Sequence, residues 1–193
     1  QPQNIRDTEK EVLNYNEALK MLSEKINNKN TSLSIELILN IHKHVMKNLL
    51  QKYELGRFRQ KPVVVNNPKT GQIVFLPPDF QDVELSMKNL VDFVLTNKNK
   101  IDPLILAGIF HKQMVIIHPF IDGNGRTTRL AVKILLAQMG LNTFNLFSFE
   151  NYYNNNVNRY FQTVGEFGNY YEIKDKVDFT KWLEYFTEGI IDE

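Results

Sequence analysis

The sequence predicts an all-α domain interrupted by a single β-hairpin. Three observations carry that prediction. Apolar residues recur every three or four positions through most of the chain, the spacing of an amphipathic helix. Two short β-branched runs, Pro62-Val63-Val64-Val65 and Ile73-Val74-Phe75-Leu76, flank an Asn/Pro/Gly turn. Between Leu104 and Ile117 the pattern is apolar nearly all round, as expected of a central helix buried by its neighbours.

The elements follow in order. From Thr8 to about Ile26, Val12, Leu13, Tyr15, Ala18, Leu19, Leu22 and Ile26 mark a first helix, with Asp7 or Thr8 as its N-cap. Asn27 to Thr31 is polar and reads as a loop. A second helix starts near Ser32 or Ser34 and carries Leu37, Ile38, Ile41, Val45, Met46 and Leu49. The hairpin spans about 62–76 and ends at Pro77-Pro78. A lone hairpin is only marginally stable, so this one must pack on the helices or take order from a partner. Val83 to Val94 forms a third helix, and the buried one follows Pro103. After a loop at 118–124, a helix runs from about Gly125 to Gln138 and stops at Gly140. A segment from Glu150 to about Val164 and a last helix from Asp178 to about Ile190 complete a single domain spanning 1–193.

Bulk properties narrow the function. The chain is 42% hydrophobic, enough to bury a core without disorder. A formal net charge of +1 argues against nucleic acid or an anionic membrane as a direct partner. With no cysteine there is no thiolate or disulfide chemistry, and a cytoplasmic setting is expected. No apolar stretch is long enough to span a membrane. The start, Gln1-Pro2-Gln3-Asn4, lacks an initiator methionine and reads as part of a longer or processed chain.

The chemistry concentrates in His118-Pro119-Phe120-Ile121-Asp122-Gly123-Asn124-Gly125-Arg126-Thr127-Thr128-Arg129. Glycines allow close backbone approach, and a helix start offers unpaired N–H groups with partial positive charge, together an anion site. Arg126 and Arg129, three apart on one helical face, point to a polyphosphate rather than a single carboxylate. Asp122 is a hard oxygen ligand suited to Mg²⁺. His118 is the one group of the loop that can move a proton near pH 7.

This stretch resembles the signature of the Fic family, His-x-Phe-x-Asp/Glu-Gly-Asn-Gly-Arg-x-x-Arg, at every specified position. Asn14-Tyr15 with Ala18-Leu19 is similar to the family's entry helix, and Gly56-Arg57-Phe58-Arg59 to the segment before its active-site flap. The resemblance implies a Fic fold with the hairpin as flap, and the activity of a protein AMP-transferase using ATP and Mg²⁺. In that reading His118 deprotonates a target hydroxyl and Asp122 holds Mg²⁺. Gly123, Asn124 and Gly125 cradle the phosphates, and Arg126 and Arg129 steady the β- and γ-phosphates. The flap docks a protein substrate by main-chain pairing, and the target can be the enzyme itself.

Other residues carry less. His42 and His44, two apart on a helix, read as surface or core residues, and His111 as packing or as support behind the site instead of a ligand. The run Asn151-Tyr152-Tyr153-Asn154-Asn155-Asn156, with Tyr160-Phe161 beyond, reads equally as an adenine pocket or as core; Tyr160, at a paired-aromatic position of the family, is its nucleotide-binding candidate. The Ser/Thr-x-x-x-Glu-Gly/Asn motif of the family's inhibitory helix is not found in the chain, so the brake on Arg129 is expected to be lacking or to lie upstream of Gln1. Transfer of UMP, phosphocholine or phosphate, and a non-catalytic nucleotide-sensing or protein-binding module, remain alternatives.

Overall fold

The computed structural model describes residues 2–27, 32–67, 69–144 and 146–191. In chain order the elements are α1 (Pro2–Asn27), α2 (Ile35–Val45), β1 (Val65–Asn66), β2 (Ile73–Leu76), α3 (Phe80–Asn97) and α4 (Pro103–Ile117). They continue with α5 (Asn124–Gln138), α6 (Phe149–Asn155), α7 (Val157–Val164), β3 (Gly168–Asn169), α8 (Tyr170–Ile173) and α9 (Thr180–Ile191).

The buried helix is α4. Asp102 caps it through Oδ1, which accepts from the N–H groups of Leu104 and Ile105, and Pro103 fits where no donor is needed. α3, α5 and α9 pack around it. Gly108 lets α9 approach closely: a Cβ there would lie 2.6 Å from Leu183, and Trp182 Nε1 donates to the Gly108 carbonyl at 2.8 Å. On the far side of α5 lie α1 and α2, joined where the Asn14 amide donates to the carbonyls of Val45 and Lys47 at the end of α2.

Several boundaries move. α1 begins at Pro2, so Asp7 and Thr8 lie inside the helix instead of capping it. The loop expected over Asn27–Thr31 falls almost wholly outside the described residues. α2 starts after Ser34, whose Oγ accepts from Leu37 N–H, and stops at Val45. α5 ends in a Schellman turn: Leu141 N–H reaches Leu136 O, Gly140 N–H reaches Ala137 O, and Gly140 takes φ +92°. The segment read over Glu150–Val164 is two helices. Asn156 leaves helical geometry at φ −143° and caps the second by accepting from Arg159 N–H at 3.0 Å.

The hairpin is present but is not alone. β1 pairs antiparallel with β2 around a turn in which Asn67 accepts from Gly71 N–H and Gly71 takes φ +70°. Val63 and Val64 stay outside the ladder. The other edge of β2 pairs in parallel with β3, giving a three-stranded sheet in the order β1-β2-β3. β3 and α8 escaped the sequence reading because two or four residues show no period. They are held from elsewhere: buried Lys112 of α4 binds Glu166 at 2.7 Å and Thr163 O at 2.9 Å, while the Tyr171 hydroxyl bridges Asp82 Oδ2 and the Asp79 N–H. The hairpin thus takes its order from the body of the domain, through β3 and buried Phe75.

Candidate active site

α4 ends at His118, which adopts φ 50°, ψ 58° and turns the chain out of the helix. Left-handed geometry is costly for a non-glycine residue, and a surrounding frame must hold it. Arg59 supplies much of that frame. It is 2% exposed; its N–H donates to Pro119 O and its Nε to His118 O, both at 2.9 Å. The same guanidinium donates to Pro78 O at 2.5 Å and Lys61 O at 3.3 Å, so one side chain clamps both stems of the hairpin to the turn at His118. Burial lowers its pKa against the pull of Asp79 and Tyr171, yet a guanidinium stays charged.

The His118 ring contacts Val115 O through Nδ1 at 3.3 Å. A carbonyl only accepts, so Nδ1 carries the proton and Nε2 keeps its lone pair. Burial, helped by the charge of Arg59 and opposed by the Val115 contact and Asp122, pushes its pKa down to about 4. The ring is therefore an unprotonated base at neutral pH.

The loop that follows rests on internal bonds. Asn124 closes it: Oδ1 accepts from Phe120 N–H at 2.9 Å and Nδ2 donates to Phe120 O at 2.8 Å. Both ends of that amide hold the loop, while the backbone N–H of Asn124 at the start of α5 stays available to an anion. Phe120 is fully buried and stacks on the His42 ring, with centroids 3.9 Å apart and planes 5° from parallel. His42 Nδ1 accepts from Gly56 N–H at 3.0 Å, which leaves Nε2–H to donate to Asp122 O at 3.1 Å. Burial pushes its pKa down to about 4 as well, consistent with that neutral tautomer. His42 is thus a core histidine that props the loop. His111 is packing, enclosed by Phe149, Tyr153, Tyr160, Trp182 and Phe186.

Gly123 starts α5 at φ +77°, and a Cβ there would lie 2.5 Å from Met46 Sδ. The first intrahelical bond runs from Thr127 N–H to Gly123 O, so the earlier N–H groups have no helical partner. Asp122 keeps its carboxylate 59% exposed, touched by Gly123 N–H and loosely by Arg126 at 3.5 Å. Arg126 also meets Glu11 of α1 at 3.3 Å. Arg129 Nε donates to Glu150 Oε1 at 2.5 Å. Burial works against the Arg129 charge, while Tyr160, Glu150 and Tyr15 more than offset it.

His118, Asp122, Gly123, Asn124, Gly125, Arg126 and Arg129 come together with Ile121 around a cleft of about 250 Å³. Tyr160 does not join them. Its ring is buried, stacked on Tyr153 at 4.2 Å and set edge-on to Trp182, so neither face is left for a base. Its hydroxyl faces Arg129 instead. The neighbouring Phe161 is 46% exposed. Glu150 is the residue that sequence reasoning passed over; Arg59 entered only as part of the Gly56-Arg57-Phe58-Arg59 segment, and His42 only as a surface or core residue.

Comparison with known proteins then decides the family. The model of the Fic/DOC family matches residues 32–136. The chain belongs to the Fic/DOC family. It is 35% identical over 131 residues to a protein adenylyltransferase Fic of Nematostella vectensis, covering 67% of this chain and 29% of that protein. It is 33% identical over 132 residues to the protein adenylyltransferase fic-1 of Caenorhabditis elegans, covering 67% and 24%. The chain thus spans less than a third of these curated relatives. A Fic-domain-containing signaling protein of Bacteroides thetaiotaomicron shares the fold at a TM-score of 0.73 and 22% identity, over 95% of this chain and 68% of that one. This likeness extends beyond the matched segment to α1 and to the helices after α5.

Proposed function

We propose that this Fic domain moves AMP from ATP to a Ser, Thr or Tyr hydroxyl of a protein and releases pyrophosphate. The observation that carries this is the convergence, on one cleft, of a neutral histidine, the N-terminus of α5 and two arginines. In the proposed reaction His118 Nε2 takes the proton of the target hydroxyl. Its oxygen bonds to the α-phosphorus, the bond from that phosphorus to the β-bridging oxygen breaks, and pyrophosphate departs with the electron pair. Phosphoryl chemistry of this kind depends on positioning and on neutralising spread negative charge. The first N–H groups of α5, at Asn124 and Gly125, with the Gly123 turn that lets phosphates approach, and the guanidinium groups of Arg126 and Arg129 supply that charge.

Asp122 fits a Mg²⁺ ligand: its carboxylate is exposed and opens on the cleft, with one oxygen accepting from Gly123 N–H and only a loose contact to Arg126, and Mg²⁺ is commonly held by one carboxylate plus substrate phosphates. The ion would add positive charge beside the phosphates. For the target we propose the flap. β1 is the edge of its sheet, with Val64 exposed beside it and Ile73 exposed on β2, a surface suited to an added strand of little sequence demand. No helix among the described residues is long and apolar enough to cross a membrane, and a cysteine-free enzyme suits the cytoplasm.

The test is incubation with α-labelled or γ-labelled ATP, Mg²⁺ and cell lysate. Label on protein, or on the enzyme itself, from the α position only, and none with His118→Ala, is the expected result. Label from the γ position alone refutes AMP transfer and indicates phosphate transfer; label from neither indicates a binding module.

A further inference from the structure

Arg129 is held at its Nε by a carboxylate, with the hydroxyls of Tyr15 and Tyr160 beside the guanidinium. Glu150, in the first turn of α6, accepts from Nε at 2.5 Å. Nη1 lies over Gly125, where a Cβ would come within 3.0 Å of it, and the hydroxyls of Tyr15 and Tyr160 turn toward the pair from α1 and α7. A guanidinium has an Nε edge and an Nη edge. With the first taken by Glu150, the second is directed at the glycine turn and the cleft.

The delivery of Glu150 is itself built. Lys133 lies one turn after Arg129 on α5, on the same helical face. It is buried, and its Nζ donates to Thr143 O at 2.7 Å and to Phe147 O at 2.5 Å. Those bonds hold Thr143 and Phe147 against α5, and the Ser148 hydroxyl, accepting from Asn151 N–H, starts α6 there. On the other side of the two arginines opens a groove of about 530 Å³, lined by Leu19, Phe147, Asn151 and Asn154 among others. An Arg129 without Glu150 has room to swing into it.

We propose that Glu150 is a positioning residue for the nucleotide, holding Arg129 by Nε so that its Nη groups meet the terminal phosphate. The inference rests on the reading of the cleft as a triphosphate site with Arg129 at its far end. It has the opposite sign to a carboxylate that competes with that phosphate: as a positioner Glu150 supports triphosphate binding, as a competitor it would oppose it.

The experiment measures ATP and ADP affinity in Mg²⁺ by calorimetry for the unaltered chain, Glu150→Ala, Glu150→Gln, Arg129→Ala and the double Ala variant. Glu150→Ala should weaken ATP roughly tenfold, the worth of one charge-assisted hydrogen bond, and ADP far less. Glu150→Gln, which keeps an acceptor oxygen, should recover part of the loss. On the Arg129→Ala background the Glu150→Ala change should add nothing. A merely structural role would lower ATP and ADP affinity alike and would persist without Arg129. Equal losses, no loss, or tighter ATP binding in Glu150→Ala overturns the proposal. If Arg129→Ala leaves the preference for ATP over ADP intact, the terminal-phosphate reading falls and takes the proposal with it; if it abolishes the preference while Glu150→Ala does not, the proposal alone falls.

Discussion

Acidification to pH 5 should weaken this domain through histidines it keeps neutral. His42 and His118 are held at about 4 in the fold, and His111 is pushed well below its ordinary value by burial and by the charge of Arg129. An unfolded imidazole titrates near ~6.5. Between those values the unfolded chain binds protons that the folded chain refuses, so stability rises with pH across this window and is lost as pH falls through it. For one imidazole shifted from ~6.5 to ~4, the loss between pH 7 and pH 5 is about 2 kcal/mol. His42→Phe isolates a single share. The new ring keeps the stack on Phe120 but leaves Gly56 N–H without its acceptor and Asp122 O without its donor. At pH 7 that should cost about 2–3 kcal/mol. At pH 5, where the native histidine has itself become a liability, the gap to the variant should shrink by about 2 kcal/mol. Urea unfolding followed by fluorescence of the single, fully buried Trp182 reads both quantities. A gap of equal size at pH 7 and pH 5 would refute the reasoning, because His42 would then not be the acid-sensitive group.

Two further outcomes follow from the loop's supports. Gly123→Ala adds strain at φ +77° and sets a methyl against Met46; a loss of about 2–4 kcal/mol is expected by urea unfolding, with weaker ATP binding even in the folded fraction. Arg59→Gln removes the donors shared by Lys61, Pro78 and His118, and should lower stability by about 2–4 kcal/mol. It should also bring early proteolytic cutting in the hairpin between Lys61 and Pro78, whereas cutting unchanged from the native chain would mean that the stems are held by something else.

The elements with strong period were legible from sequence. α3, α4, α5 and α9 were placed to within about three residues, since each shows several turns of apolar spacing or a capping residue. The short pieces were not: β3 and α8 owe their geometry to Lys112–Glu166 and to Tyr171, contacts made across 54 and 89 positions. Tyr160 shows the limit of reading by analogy. An aromatic at a suggestive position is drawn into the core whenever enough rings surround it, and here Tyr153, His111 and Trp182 do so.

By itself the sequence determined which residues share the cleft, because His118, Asp122, the glycines, Arg126 and Arg129 lie within twelve consecutive positions and are brought together by local geometry. Tertiary structure alone decided how that loop is held and aimed. Arg59 reaches His118 from 59 residues away, His42 reaches Asp122 from 80, and Glu150 reaches Arg129 from 21. Such pairings leave no period or motif in the chain, since a buried donor takes whatever acceptor the packed helices bring to it.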